Sequence, residues 1–329
     1  MAPFSRATVC VTGGTGFVAS ELIKQLLEKA YTVKTTVRNP DDDEKLLHLK
    51  ALAEGLPGSL SFHKADLLER GAFDSVVQGC TYIFHTASPF FIDSDDPQKA
   101  LIDPAVKGTE NVLQSAAKVS SVSRVVLTSS VAAVQGNFGA PPKNGKLYTE
   151  EDWNETSTIE KGQAYHLSKT LAEKAAWKLA KASKFELVTI CPNFVLGPVM
   201  SRRSSGTSIG YMKGYLEGRG SLGSSANCDV RDVAKAHVLA AEIPSASGRY
   251  IISEPAPVPA AKQASEWLQA AFPSVKLSTG EDSKDTKELF DNSKAAKELG
   301  LNLTSPKSTL VDMAATMMAL GIAKPTTKH

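Results

Sequence analysis

Thr8-Val9-Cys10-Val11-Thr12-Gly13-Gly14-Thr15-Gly16-Phe17-Val18-Ala19 is the stretch whose reading decides the fold. A short apolar run ends in a glycine-rich turn, and from Phe17 to Lys29 the apolar residues Phe17, Leu22, Leu26 and Leu27 recur with helical period. A glycine turn between a strand and a helix is the setting of a dinucleotide-binding loop. Gly13 permits the tight turn, Gly16 lets the backbone approach a pyrophosphate, and Ala19 is small enough for the helix to pack closely on the sheet. The positive end of the helix then faces the phosphates. The spacing is Gly-x-x-Gly-x-x-Ala, one residue wider at its first step than the usual dinucleotide form. Thr12, Gly13, Thr15, Gly16, Phe17 and Val18 are accordingly expected to line a cofactor.

Outward from this unit, strand and helix alternate. Further strands are expected over 31–37, 60–63, 82–86, 124–129, 186–191 and 250–253. Helices are expected over 44–53, 71–77 and 99–119, and a helix carrying Tyr165 and Lys169 should run to about residue 181. Short apolar strands separated by helices specify a parallel sheet covered on both faces, and right-handed crossovers make it doubly wound: an α/β fold of the Rossmann dinucleotide type. After Pro192 the alternation gives way to Gly-, Ser- and Pro-rich sequence, with helices near 209–216, 231–242, 260–271 and 308–319. Residues 1–192, with 229–253 returning to them, are therefore read as the dinucleotide-binding domain. Residues 193–228 and 254–329 are read as a smaller substrate-binding lobe.

Composition narrows the function classes. Of 329 residues, 42% are hydrophobic and 22% charged, and the net charge is +2. This is an ordinary balance for a globular chain, with no basic run to suggest nucleic acid or an anionic membrane as partner. Cys10, Cys80, Cys191 and Cys228 lie far apart in largely apolar segments, without metal-ligand spacing, and read as small buried hydrophobes. The N-terminus lacks the apolar stretch of a signal peptide, and no segment is long enough to span a bilayer. A cytoplasmic location is expected, with a small-molecule substrate and a monomer or homodimer as the working form.

The ends of the strands carry the chemistry. The second strand closes Thr36-Val37-Arg38-Asn39-Pro40, with no carboxylate to bind the ribose hydroxyls of NAD. The Arg38 guanidinium suits a 2′-phosphate, so NADPH is expected, and Lys45 offers a second positive charge or a solvated side chain. Asp66, with Leu67 beside it, ends the third strand, where it could accept from the adenine amino group or cap the next segment. Thr86, Ala87 and Ser88 end the fourth with small side chains that leave room for the cofactor, while His85 reads as a satisfied core residue. The fifth strand ends Thr128-Ser129-Ser130, placing a hydroxyl at the crevice. On the following helix Tyr165 and Lys169 stand four residues apart, on one face. An ammonium beside a phenol favours the phenolate, pulling its pKa down from about 10 toward the range in which a general acid works.

The chain resembles the extended short-chain dehydrogenase/reductases. Within them it is similar to the group of dihydroflavonol 4-reductases, cinnamoyl-CoA reductases and fungal ketone and aldehyde reductases. The matching stretches are Val11 through Phe17, Thr36-Val37-Arg38-Asn39-Pro40, Ala65-Asp66-Leu67, Pro104-Ala105-Val106-Lys107-Gly108-Thr109, Thr128-Ser129-Ser130, Tyr165 with Lys169, Pro192-Asn193-Phe194-Val195-Leu196-Gly197-Pro198, and Asp229-Val230-Arg231-Asp232-Val233-Ala234. The resemblance implies that Ser130 steadies a substrate carbonyl, Tyr165 donates the proton, and Lys169 holds the ribose hydroxyls and tunes the phenol. It also implies that the segment from Pro192 to Val195 contacts the nicotinamide amide.

Two departures bear on the substrate. Cinnamoyl-CoA reductases carry Asn-Trp-Tyr-Cys-Tyr-Gly-Lys around the catalytic tyrosine, where this chain has Ala164-Tyr165-His166-Leu167-Ser168-Lys169. Dihydroflavonol reductases usually place an Asn or related residue five positions after the serine, and here it is Gln135. Phe90, Phe91, Gln135, Phe194, Met200, Tyr211 and Tyr215 are the expected substrate-facing residues, mostly apolar side chains that suit an aromatic or lipophilic carbonyl compound or else pack the smaller lobe. The reading is NADPH-dependent reduction of a ketone or aldehyde. The alternatives are a flavonoid or hydroxycinnamoyl-CoA reductase, an NAD-retaining nucleotide-sugar epimerase or dehydratase, and a dinucleotide sensor without catalysis.

Overall fold

The computed structural model describes residues 7–88, 95–136, 145–202, 206–219, 227–254, 261–277 and 289–327. Its centre is a parallel sheet of β1 (Thr8–Thr12), β2 (Thr32–Val37), β3 (Ser59–Lys64), β4 (Tyr82–His85), β5 (Arg124–Thr128), β6 (Glu186–Pro192) and β9 (Gly248–Ile252), in the order β3-β2-β1-β4-β5-β6-β9. Direction reverses around β1, which lies between β2 and β4, and a ligand crevice opens at the carboxyl ends of strands at such a switch point. Two further strands, β7 (Phe194–Leu196) and β8 (Asn227–Asp229), pair in parallel outside the sheet.

The alternation of strand residues separates two cores. Val9 and Val11 face one apolar cluster and Cys10 the other, and on β5 Val126 parts from Val125 and Leu127 in the same way. On the first face, α1 (Phe17–Glu28) packs against α6 (Val230–Glu242); α2 (Asp43–Gly55) adds Leu49. On the second, α3 (Asp103–Ala117) packs against α4 (Ala164–Ala180). A third cluster joins α5 (Thr207–Leu216), α7 (Ala261–Ala271) and α9 (Pro306–Ala319) away from the sheet. All four cysteines are buried and free, and no helix among the described residues is long and apolar enough to cross a membrane.

The β7–β8 pair was not expected, and three other features differ from expectation. Residues 71–79 form successive turns rather than a helix, closed by bonds such as Asp74 N–H to the Gly71 carbonyl (3.0 Å) and Cys80 N–H to Val77 (3.1 Å). Phe73, Val76 and Val77 still reach the core, so the apolar spacing was real while the backbone followed the positive φ of Gly71 and Gly79. The expected helix over 99–119 begins as a π turn at Gln98–Ile102. An unexpected helix, α8 (Ser293–Leu299), packs on the sheet: Ala295 and Leu299 join the first core, and Glu298 accepts from Tyr250 Oη at 2.7 Å.

Candidate active site

The loop after β1 is shaped by contacts that leave no room for side chains. Gly13 adopts φ +71°, and a Cβ there would lie 3.0 Å from the Ala87 Cβ. A Cβ on Gly14 would stand 2.3 Å from Thr35 Oγ1. The loop is tied to β2 by Gly13 N–H to Thr36 Oγ1 (3.1 Å) and Gly14 N–H to the Thr36 carbonyl (3.0 Å). Gly16 then starts α1 without a side-chain cap, so the first amide groups of the helix stay available to an anionic ligand, with Thr15, Gly16, Phe17 and Val18 all partly exposed. The cradle fits a dinucleotide pyrophosphate.

Thr12 does something other than expected. It is fully buried, and its hydroxyl accepts from the Thr86 and Ala87 amides (3.2 and 3.1 Å), which leaves its proton for His85 Nδ1 at 2.9 Å. Thr86 Oγ1 donates to the Thr12 carbonyl at 2.5 Å. These threonines fasten the end of β1 to the end of β4 and so hold Ala87 against Gly13. Burial drives the His85 pKa down to about 3, with the Lys169 charge adding to the effect, so the ring is neutral and accepts.

Arg38 stands exposed just beyond β2, with no ion pair or side-chain hydrogen bond among the described residues. Lys45, by contrast, is held by Asp42, the carboxylate that caps α2, at 2.6 Å. Asp66 is exposed beyond β3 and accepts from the Leu68 amide at 2.9 Å, so it caps a turn while facing solvent. Leu67 packs where Gly108 leaves space.

Ser130 lies two residues past β5 and caps the 3-10 turn Val131–Ala133, accepting from the Ala132 amide at 3.1 Å. Its hydroxyl stands near enough to the Tyr165 phenol to draw that group's pKa down, which brings together two of the three expected catalytic side chains. Lys169 lies 5.9 Å from the centre of the Tyr165 ring and donates to Ser88 Oγ at 3.1 Å. The electrostatics differ from expectation: burial pushes the Tyr165 phenol up, opposed by Ser130, while the Lys169 ammonium donates to Ser88. Lys169 keeps part of its surface open to the crevice, yet enough protein surrounds it to bring its pKa down to about 8.

On the far side, Pro192 is buried at the end of β6 and Val195 is half-buried in β7. Asn193 joins them to β9, its amide donating to the Ile252 carbonyl (2.9 Å) and its Nδ2 to Ser253 Oγ (3.0 Å). Of the expected substrate residues, Phe194 and Tyr211 meet edge to face with ring centres 5.4 Å apart, and Met200 is half-buried. Gln135 is buried, and its Oε1 has no partner among the described residues. Tyr215 is a correction: it is fully buried and its hydroxyl donates to Ser265 at 2.7 Å, because that face of α5 packs on α7 and α9. Phe90 and Phe91 lie outside the described residues.

The sequence reading missed Glu173 and Arg249, both buried beneath this site. Glu173 continues the spacing of four from Tyr165 and Lys169, and Arg249 is a lone charge at the start of an apolar strand. Either signal could have drawn notice.

Comparison with known proteins bears on this geometry. A chain from Medicago truncatula described as cinnamoyl-CoA reductase CAD2 is 44% identical over 302 residues, which are 90% of this chain and 91% of that one. A (2S)-flavan-3-ol-forming anthocyanidin reductase of Vitis vinifera is 37% identical over 313 residues, 90% of each chain. Among solved structures, Gre2 of Candida albicans in complex with NADPH superposes with a TM-score of 0.82 at 31% identity, covering 95% of this chain and 99% of that one. The model of the NAD dependent epimerase/dehydratase family matches residues 9–252, from β1 to the end of β9. The chain therefore belongs to that family, the extended short-chain dehydrogenase/reductases.

Proposed function

We propose that this protein reduces an aromatic or lipophilic ketone or aldehyde to the alcohol, with NADPH as the reductant and Tyr165 as the proton donor. The protein is an oxidoreductase that uses NADPH, in keeping with its family and its NADPH-bound structural neighbour. The observation that carries the finer reading is the convergence of Ser130, Tyr165 and Lys169, with Ser130 drawing the phenol's pKa down and Lys169 5.9 Å from the phenol ring while it donates to Ser88. NADPH, when bound, supplies a hydride to a carbonyl carbon. The residues suited to hold it are the loop from Gly13 to Val18, Arg38 at the 2′-phosphate, Ser88 and Lys169 at the ribose, and the segment from Pro192 to Val195.

The side chains supply the rest of the reaction. Burial keeps the Tyr165 phenol protonated at neutral pH, the form a donor needs. Ser130 can donate to a carbonyl oxygen and stabilise the charge that develops on it as the phenol gives up its proton. Lys169, still largely charged at neutral pH, stabilises the tyrosinate left behind. Gln135 and the edge-to-face pair of Phe194 and Tyr211 offer a polar and an apolar contact for the substrate.

Tyr165→Phe is expected to lower turnover by about 100-fold or more, the scale of general acid catalysis, while NADPH binding measured by fluorescence stays within a few-fold. Retention of more than about a tenth of the rate would remove Tyr165 from this role. The 44% identity to a cinnamoyl-CoA reductase favours one second reading, a hydroxycinnamoyl thioester substrate. An NADPH-oxidation screen over aryl ketones, aliphatic aldehydes, dihydroflavonols and hydroxycinnamoyl thioesters separates the two.

A further inference from the structure

Beneath the candidate catalytic residues lies a buried ionic junction. Glu173, on the α4 face that presents Tyr165 and Lys169, is fully enclosed, as is nearly all of its partner Arg249 on β9. Five nitrogen and oxygen donors converge on the Glu173 carboxylate, and the Cys191 thiol approaches it at 4.0 Å. Arg249 Nε and Nη2 reach it at 2.8 and 3.1 Å, Ser129 Oγ at 2.6 Å, Thr189 Oγ1 at 2.9 Å and Trp177 Nε1 at 3.2 Å. Thr189 and Arg249 face one another across β6 and β9, so one carboxylate binds α4 to the ends or middles of three adjacent strands.

The junction closes around Ser130. On one side Ser129, held by Glu173, precedes it in the chain. On the other, Arg249 Nη1 donates to the carbonyls of Glu150 (3.0 Å) and Asp152 (2.5 Å), and its guanidinium lies 4.0 Å from the centre of the Trp153 ring. The loop so fixed delivers Asn154, whose Nδ2 donates to the Ala132 carbonyl (3.1 Å) and to Thr170 Oγ1 on α4 (3.0 Å), while its amide donates to the Ala133 carbonyl (3.0 Å). The strand end before Ser130 and the turn after it are thus both bonded to groups tied to the helix of Tyr165.

A buried ion pair is poor evidence of added stability, since well-packed apolar residues of similar volume often serve as well. What a carboxylate with five directed donors provides is a narrow choice of position, and catalytic groups lose activity when displaced by about 1 Å. We propose that Glu173, locked by Arg249, is a positioning residue that sets the approach of Ser130 to Tyr165. This rests on the reading that Ser130 and Tyr165 act on a carbonyl.

Three variants of the full-length protein test it, assayed with NADPH and the best carbonyl substrate of the screen. Ser129→Ala removes one link without unpairing a charge, and is expected to lower kcat several-fold with KM and thermal stability little changed. Glu173→Gln is expected to lower kcat by about 10- to 100-fold and to shift the pH profile of kcat, with NADPH affinity retained. The pair Glu173→Leu with Arg249→Met removes both charges; it should recover stability but not kcat, and Glu173→Asp should recover part of kcat. If Ser129→Ala and the charge-free pair both keep more than half of the wild-type kcat, the junction is structural only and the proposal falls. Loss of folding in the charge-free pair leaves Ser129→Ala to decide. Tyr165→Phe, run alongside, separates the two ideas: an active Tyr165→Phe overturns the catalytic reading, whereas an inactive one beside undiminished junction variants overturns only the positioning role.

Discussion

Arg38 shows what a single side chain can decide. It follows β2 directly, exposed and unpaired among the described residues, while its neighbour in charge, Lys45, is occupied by Asp42. A guanidinium with no competing partner can give a phosphate its full fork of donors, and hydrogen bonds to charged groups are worth about 1.5–3 kcal/mol each. Arg38→Asp is therefore expected to lower kcat/KM with NADPH by about 10- to 100-fold and to leave NADH unchanged or improved. Steady-state kinetics with both cofactors checks this, and an unaltered ratio between them would remove Arg38 from cofactor selection. Arg38 was legible because its position follows from strand order and local composition. The fate of Thr12 was not, because whether a hydroxyl at a strand end faces the crevice or the next strand depends on Thr86, Ala87 and His85, more than seventy positions away.

At the scale of elements, β1, its loop and α1 depend on space as much as on backbone freedom. Gly14 has an ordinary φ, yet a methyl group there would meet Thr35 Oγ1 at 2.3 Å and Cγ2 at 3.0 Å, and that hydroxyl is fixed by donation to the Val11 carbonyl at 2.8 Å. Gly14→Ala should cost about 1–3 kcal/mol, the usual range for overpacking. Thr35→Ala in the same chain should return part of that loss, and the double-mutant cycle read by urea denaturation measures the coupling. Strict additivity of the two changes would show that the loop relaxes elsewhere. The elements that were legible in the sequence are those whose own periodicity marks them: the seven strands of the sheet and the helices α1, α2, α4, α5, α6, α7 and α9. Those that were not owe their form to distant partners. The turns over 71–79 bury apolar residues at near-helical spacing without helical backbone. Helix α8 has only two buried residues, and it is placed by Lys294 on the Ser247 and Arg249 carbonyls and by Glu298 on Tyr250. The Glu173 junction is the same case, since its donors Ser129, Trp177, Thr189 and Arg249 come from four separate parts of the chain.

For the whole molecule, the two imidazoles that burial lowers furthest lead the response to acid, with His166 lowered in the same sense. His85 is bonded to Thr12, and His237 donates Nδ1–H to the Val233 carbonyl at 2.7 Å while accepting from Thr128 Oγ1 at 2.7 Å. Both rings are neutral in the folded protein, and burial lowers their pKa values to about 3 and about 4. The unfolded chain protonates the same groups near pH 6.5, so below that value it binds more protons than the folded one, and stability falls as the pH drops toward 3. Fully developed, the loss is roughly 3–5 kcal/mol for each ring. Glu254 acts in the opposite sense: burial and the nearby Asp232 raise it to about 7, so its contribution favours the folded state as pH falls, but this is complete once the unfolded carboxyl is protonated near pH 4.5, and half-exposure weakens it. The imidazoles therefore dominate below about pH 5. Replacing both with asparagine, which can keep a donor and an acceptor at each place, should lower stability at pH 7.5 through imperfect fit yet flatten its decline between pH 6.5 and 4. Urea midpoints measured across that range for both proteins decide the matter: parallel slopes would show that the acid response arises elsewhere, whereas a shallower slope in the variant assigns it to the two rings that hold β1 to β4 and β5 to α6.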